Sequence, residues 1–414
     1  MTIDTPTLTR GFVARNWARK HLFRTPLDAL LTVVFGGLSL YLIYRAFLFV
    51  FVNARWEIIS SNLKLLMIGR WPNDHVLRVA LAIAVLALWG GLIGGLIAGR
   101  QRAAGLSVAA GMSISQRVSD LVRRFGLMIA TIVLLLLLTD TAGPWLMAIG
   151  AGAAGFAGYW MGRAVGARTL GKWMTRLGML VLAAVPIVVY WYMVSAHPLG
   201  EWEGFLFNMT AATAGIILCF PLGVLLALGR RSKLPLLKWM SIAYIEFVRG
   251  SPLFVLLLLA NVSLEFFVPA SLAPSKPIRA VVTFTLFTAA YLAEIVRGGL
   301  QSVPKGQEEA AKSLGLSPTK QMFLIVLPQA LRNVIPAQIG QFISLFKDTT
   351  LAGAALGILD LLAGAEAITS QPDFVGQGLI IESLVFVAFM FWVGSFTMSR
   401  ESQRLEKRLG VGVR

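Results

Sequence analysis

The sequence predicts an all-α protein that crosses a membrane many times. Three observations carry this: a mean hydropathy of +0.75 over 414 residues, 57% hydrophobic against 14% charged residues, and apolar runs of about 20 residues recurring along the chain. A soluble chain of this length would carry more charge. About ten spans are expected, near 27–52, 78–99, 125–140, 143–162, 176–196, 206–228, 251–268, 279–299, 332–357 and 377–399. The third and fourth are short runs separated by Asp140 and Pro144.

Ahead of the first run lie Arg10, Arg15, Arg19, Lys20 and Arg24. The run is longer than a signal-peptide core and has no small-x-small cleavage site, so it reads as a retained span. After it, ARWEIISSNLKLLMIGRWP (54–72) has apolar residues at roughly helical spacing but interrupted by charge. An interfacial helix or a re-entrant piece is expected there rather than an eleventh span.

A net charge of +17 invites a nucleic-acid partner, but the basic residues form no single stripe and no RNA-binding motif. They fall between the apolar runs. With a cytoplasmic N-terminus, the gaps on that side hold 29 of the 37 Lys and Arg residues, and the opposite gaps hold only Arg55, Lys64, Arg70 and Lys276. That asymmetry is the one multi-pass proteins show. Both termini, with the basic tail 401–414, are therefore expected in the cytoplasm. Cys219 is alone, so no disulfide framework exists, and His21, His75 and His197 lack metal-site spacing. No catalytic set and no metal site is predicted.

GARTLGKW (166–173) fits the start of a phosphate-binding loop, G-x4-G-K. The motif needs Ser or Thr next to hold magnesium and a strand before it to aim the loop. Here Trp173 follows and apolar spans flank both sides, so a basic connector is the better reading.

One polar stretch stands out: EEAAKSLGLSPTKQMFLIVLPQA (308–330). It is too polar to cross a membrane and too regular to be a slack linker. Pro304 and Gly306 should break the preceding span, and Gln307 to Leu314 should form a short helix with a shallow face at Ala310 and Ala311. Gly315 falls where a left-handed turn is needed. A second short helix from Ser317 through Leu324 leads back towards the membrane at Ile325, Leu327 and Pro328. Two short helices held to two spans make a knob that another protein can push.

Ionisable residues inside spans are functional candidates because burying them is costly. Glu294 and Arg297, three apart, share a helix face and can form a structural lock or a gate. Lys347 and Asp348, in LFKDTTL (345–351), would lie about 30 Å from Pro328 along a continuous helix. With Thr349 and Thr350 they can line the substrate path or gate, or serve internal helix packing; the two hydroxyls can relieve backbone groups if the helix breaks.

Glu309-Ala310-Ala311, then three residues to Gly315, then nine to Ile325-x-Leu327-Pro328, resembles at every spaced position the EAA loop of ABC-importer permeases. YIEFVRGSPL (244–253), AAYLAEIVRGGLQSVPKGQ (289–307) and LFKDTTL are similar to the polar amino acid branch of that family. The resemblance implies a five-span type I permease core over 201–400 whose 305–328 loop docks on a separate ATP-hydrolysing subunit. Glu309, Ala310, Ala311, Gly315, Ile325, Leu327 and Pro328 would carry that coupling. It further implies a transport subunit rather than an enzyme, with no cofactor of its own, since ATP and magnesium would sit on the partner ATPase dimer. A second, distinct permease subunit, an extracytoplasmic amino-acid-binding protein, membrane lipid and a bacterial inner membrane complete the implied setting. The cargo would be polar or acidic amino acids, or L-amino acids broadly. Residues 1–200 form a five-span extension similar to the long-form permeases of general L-amino-acid and glutamate/glutamine/aspartate/asparagine importers; NLKLLMIGRWP (62–72) carries that likeness. The extension has none of the EAA-loop pattern, so coupling is expected to need the core alone. The alternative is a self-contained secondary transporter or channel made of two fused halves. Such a protein often shows an internal repeat, and residues 1–200 hold no second EAA-like loop.

Overall fold

The computed structural model describes residues 17, 20–105, 114–139, 141–167, 172–263, 266, 268–269 and 272–410. Residues 1–16, 18–19, Asp140, 168–171 of the phosphate-loop-like stretch and 411–414 lie outside the described residues. The chain divides into two compact units, residues 1–56 and 57–414. The described residues form an all-α, polytopic architecture whose sole bridge-type backbone pairing is between Gly204 and Asp360.

In the first unit, α1 spans Pro26–Leu48 and ends in a π-turn, Phe49–Asn53. Its start is well specified. Pro26 occupies the first turn, where its missing N–H costs nothing, and Thr25 and Asp28 form a reciprocal capping box at 3.1 Å each way. No residue of α1 is buried, as expected of a span clothed by lipid.

The second unit holds α2 (Glu57–Ile68), α3 (Val76–Ala103), α4 (Ile114–Leu137), α5 (Ala142–Gly166) and α6 (Lys172–Ala196). It continues with α7 (Gly204–Arg230), α8 (Pro235–Gly250), α9 (Leu253–Val262) and α10 (Lys276–Ser302). After these come α11 (Lys305–Ser313), α12 (Pro318–Gln321), α13 (Leu327–Asn333) and α14 (Ile335–Asp348). Helices α15 (Leu351–Leu356), α16 (Leu361–Ile368) and α17 (Ile380–Leu409) close the fold.

Helix α2 has 12 residues, too few to span a bilayer. It buries Ile58, Ile59, Leu63 and Leu66 and packs on α7, α16 and α17. Helices α3 and α5 pack against each other through glycine. A Cβ added to Gly91, Gly95 or Gly99 would overlap backbone of Gly155, Tyr159 or Arg163, and one added to Gly158, Gly162 or Gly166 would overlap backbone of Leu88, Leu92 or Leu96. Residue numbers rise together along both helices, so the pair runs parallel, and α4 must carry the chain back between them. The Trp89 indole ties α3 to α6 by donating to the Leu182 carbonyl at 2.7 Å.

Among the described residues five helices, counted with their flanking turns, are long and apolar enough to cross a membrane alone: Pro26–Asn53, Asn73–Ala103, Gly204–Arg230, Lys276–Ser302 and Ile380–Lys407. Two bent pairs raise the number to seven. The predicted spans 125–140 and 143–162 fall on α4 and α5, which have the length but carry charge or glycine, and 176–196 falls on α6, whose apolar stretch is Leu180–Ser195, so the expected ten is an approximate count.

Residues 230–249, the gap between two predicted spans, contain helix α8, which meets α9 at 103°. Pro252 explains the corner: it holds Ser251 extended, at φ −101° and ψ 138°. The expected straight helix from Pro328 to Asp348 is bent by 61° between α13 and α14. Pro336 has no N–H for the Arg332 carbonyl and its ring clashes with it, so the ladder breaks at Val334. The axial distance of about 30 Å inferred for a continuous helix therefore does not hold.

Candidate functional site

The polar stretch folds as two short helices at one end of the bundle. Val303 leaves α10 extended, Pro304 precedes α11, and α11 ends in a Schellman motif: the N–H of Leu316 donates to the Ala311 carbonyl at 3.2 Å and that of Gly315 to the Lys312 carbonyl at 3.0 Å. Gly315 has φ +71°, the left-handed turn expected from its position. Downstream, the Gln321 amide donates to the Leu316 carbonyl at 2.6 Å and fixes α12 against the turn. A π-turn, Met322–Val326, follows, closed by the Leu327 N–H donating to the Met322 carbonyl.

Glu309, Ala310, Gly315 and Pro328 are exposed, Ile325 is half-buried, and Ala311 and Leu327 are buried. Leu314, the C-cap of α11, is 80% exposed at the tip.

Behind the knob lies an ion cluster. Glu294 on α10 accepts from Arg297 one turn on, and from Arg230 of α7 at 3.3 Å, with Arg249 of α8 at 3.9 Å. Arg230 also pairs with Glu246 at 2.9 Å. The predicted Glu294–Arg297 pair is thus present, but it belongs to a larger set that joins three helices. Arg231, next in the chain, lies 3.9 Å from Glu308 of α11, so the cluster reaches the knob itself.

Lys347, Asp348, Thr349 and Thr350 sit where α14 gives way to α15. The helix does break there, and each threonine hydroxyl donates to a carbonyl three residues back, Thr349 to Phe346 at 2.7 Å and Thr350 to Lys347 at 2.9 Å. Lys347 is exposed and Asp348 partly buried, while Thr349 is fully buried.

Thr349 belongs to a polar pin that sequence reading missed. Asn208 of α7 donates to the Thr349 hydroxyl at 3.1 Å and to Asp360 at 3.3 Å, and accepts from the Leu361 N–H at 3.0 Å. Asp360 caps α16 through the Ala363 N–H at 2.9 Å, and burial pushes its carboxyl up to about 6. Asn208, Thr349 and Asp360 all have zero exposure. The partners lie 141 and 152 residues apart in sequence, so nothing local announces them.

At the same end, Glu203 accepts from the Arg70 side chain at 3.0 Å and from its backbone N–H at 2.9 Å. The hydrogen bond and charge of Glu203 hold the Arg70 guanidinium above its ordinary value. Gly69 and Gly204, both at positive φ, let the two backbones meet, and the Gly204 N–H donates to the Leu359 carbonyl at 2.6 Å. Among the described residues no group of His, Cys, Asp and Glu could hold a metal ion.

Fold and site define a multi-pass helical membrane protein with a protruding two-helix knob. Residues 219–411 match the binding-protein-dependent transport system inner membrane components. The glutamine ABC transporter permease protein GlnP of Bacillus subtilis, itself described as probable, is 35% identical over 208 residues, 50% of this chain and 92% of that protein. The chain belongs to this family. The inner membrane amino-acid ABC transporter permease protein YhdY of Escherichia coli K12 is 42% identical over 233 residues, 55% of this chain and 63% of that one. The glutamate/glutamine/aspartate/asparagine transport system permease protein BztC of Rhodobacter capsulatus is 40% identical over 253 residues, 56% and 58%. The chain thus matches about three-fifths of the length of these two relatives. A crystal structure of an amino acid ABC transporter with histidines aligns at TM-score 0.45 and 30% identity over 52% of this chain and 96% of that one.

Proposed function

We propose that this chain is a permease subunit of an ATP-driven importer that carries amino acids, polar or acidic ones or L-amino acids broadly, delivered by an extracytoplasmic binding protein. ATP and magnesium belong to a separate ATPase dimer, which grips the knob at Glu309, Ala310, Ala311, Gly315, Ile325, Leu327 and Pro328. No bond of the cargo changes. A second, distinct permease completes the pathway, and Glu294, Arg297, Lys347, Asp348, Thr349 and Thr350 serve its gates or walls. Both termini and the knob face the cytoplasm of a bacterial cell. The observation that carries this reading is the knob: a Schellman-capped helix ending at a glycine with φ +71°, with Leu314 exposed at its tip.

The test is uptake in the assembled complex. Glu309→Ala and Gly315→Val should leave the amount of complex near wild type, cut amino-acid uptake severely and leave ATP hydrolysis unresponsive to loaded binding protein. Gly315→Val should be worse than Gly315→Ala, because a β-branched residue least tolerates positive φ. Undiminished uptake in both Glu309→Ala and Gly315→Val would sink the reading. For orientation, Lys312→Cys in a Cys219→Ser background should resist membrane-impermeant thiol reagents in intact cells, and labelling from outside would reverse the topology.

A further inference from the structure

Helix α13 has seven residues, and three of them tie different elements together. Gln329 donates to Gln307 of the coupling helix α11 at 3.3 Å, and Asn333 donates to Ser302 at the end of α10 at 3.0 Å. Arg332 donates to the carbonyl of Leu409, the last residue of α17. That carbonyl has no partner within its helix, and the negative end of the helix dipole favours a guanidinium beside it. Gly410, at φ +65°, ends α17 there in a left-handed turn.

Two turns earlier, the same stretch of α17 is fastened to the N-terminal extension. Arg124 of α4 forks onto both oxygens of Glu401, at 3.2 and 2.8 Å. Arg404 also binds Glu401 and reaches the Arg123 carbonyl at 3.4 Å. Bidentate guanidinium–carboxylate geometry fixes orientation as well as distance. At 30 residues, α17 is about 45 Å long, against roughly 30 Å of hydrocarbon, so its last turns project beyond the bilayer. The contacts run unbroken from Arg124 through Glu401 and α17 to Leu409, Arg332, Gln329 and Gln307.

We propose that Arg124, Glu401 and Arg332 are positioning residues through which the N-terminal extension holds the coupling helix in its resting place. A push on α11 must carry α13 with it, and α13 can move only by dragging or releasing the end of α17. The extension then acts as a brake on coupling, contrary to the expectation from sequence that coupling needs the core alone. The inference rests on the reading that the 305–328 knob meets an ATPase.

The test measures ATP hydrolysis in the full reconstituted complex, with and without loaded binding protein. Glu401→Gln, Arg124→Gln and Arg332→Gln should each raise the unstimulated rate about two- to fivefold, the scale of a partly exposed ion pair, and shrink the stimulation ratio. The double variant Arg124→Gln/Glu401→Gln should match either single one, because both break the same link. A second arm needs no loss of contact. Arg124→Cys and Glu401→Cys in a Cys219→Ser background, bridged by a short bis-maleimide, should bring the unstimulated rate back below that of the unbridged protein. Wild-type unstimulated rates in Glu401→Gln and Arg332→Gln, or no change on complete bridging, overturn the proposal. Glu309→Ala separates the two failures. If it uncouples hydrolysis while the brake variants behave as wild type, only the brake is wrong; if it too is silent, the ATPase-docking reading falls with it.

Discussion

The α3–α5 pair and the α7–α10 core solve the same problem by opposite means. In a bilayer, lipid tails are as apolar as leucine, so helices associate through packing and polar contacts rather than by expelling water. The α3–α5 seam uses backbone: six glycines let main-chain atoms of one helix touch the other, with almost no side chain between them. The core uses side chains. Leu292, Ala293 and Val296 of α10 pack with Cys219 and Ala227 of α7 and Ile245 of α8, and the Asn208 pin and the Glu294 cluster lock either end. A glycine seam is intolerant of addition; a side-chain lock is intolerant of removal.

The sharpest way to break this contrast adds a side chain to the seam. Gly95→Val would overlap the Tyr159 carbonyl and should cost about 3 kcal/mol or more, since neither backbone can yield. Gly94→Val is the control, because its nearest neighbour is Cδ2 of the Tyr159 ring at 4.0 Å, an ordinary van der Waals distance. Yield and thermal stability of the purified protein should fall only for Gly95. Equal behaviour of the two would dissolve the seam.

Removal should hurt most at the pin. Asn208→Ala strands the buried Leu361 N–H and leaves the Asp360 carboxyl with the Ala363 N–H alone, for about 2–3 kcal/mol. A melting temperature within error of wild type would show that water replaces the amide.

The ion cluster predicts a smaller and asymmetric effect. Its members are partly exposed, so about 1 kcal/mol or less attaches to any one pair. Glu294→Gln leaves Arg230, Arg249 and Arg297 facing one another and should destabilise more than Arg297→Gln, which leaves the carboxylate two other partners. The reverse order would place the controlling charge elsewhere.

The mildest expectation concerns pH. The folded value for Asp360, about 6, lies above its ordinary 3.8 because burial disfavours the charged form. Its stabilising contribution is therefore complete below about 4 and lost as pH rises through about 6. The wild type should lose stability relative to Asp360→Asn between about pH 4 and 6. A constant difference across that range would show that Asp360 does not titrate there.

What was legible in the sequence follows the range of the forces involved. The knob could be read because its determinants are local: Pro304 before α11, glycine at its left-handed end, a proline where the chain turns back. Glu294 and Arg297 could be paired because one helical turn separates them. Arg230 and Arg249 could not, since they arrive on other helices. The same holds for Asn208 with Asp360 and for Arg70 with Glu203, 133 residues apart. Pro336 was a readable signal for the bend at Val334 that the straight-helix reading passed over. The glycines at 91, 95 and 99 and at 158, 162 and 166 were likewise in plain view, at the every-fourth spacing of close helix contact. Only the structure shows that they face each other.

The seam also has a genetic consequence. Every glycine codon begins with the same two bases, and any change at either, unless it makes a stop codon, installs a residue with at least a Cβ. At Gly91, Gly95, Gly99, Gly158, Gly162 and Gly166 no amino-acid replacement reachable by one base change avoids a collision with backbone. Leucines on the lipid-exposed faces drift to valine, isoleucine, methionine or phenylalanine with little effect. A saturating mutational library of this chain should therefore show six codons silenced to change within a helix pair that otherwise accepts it.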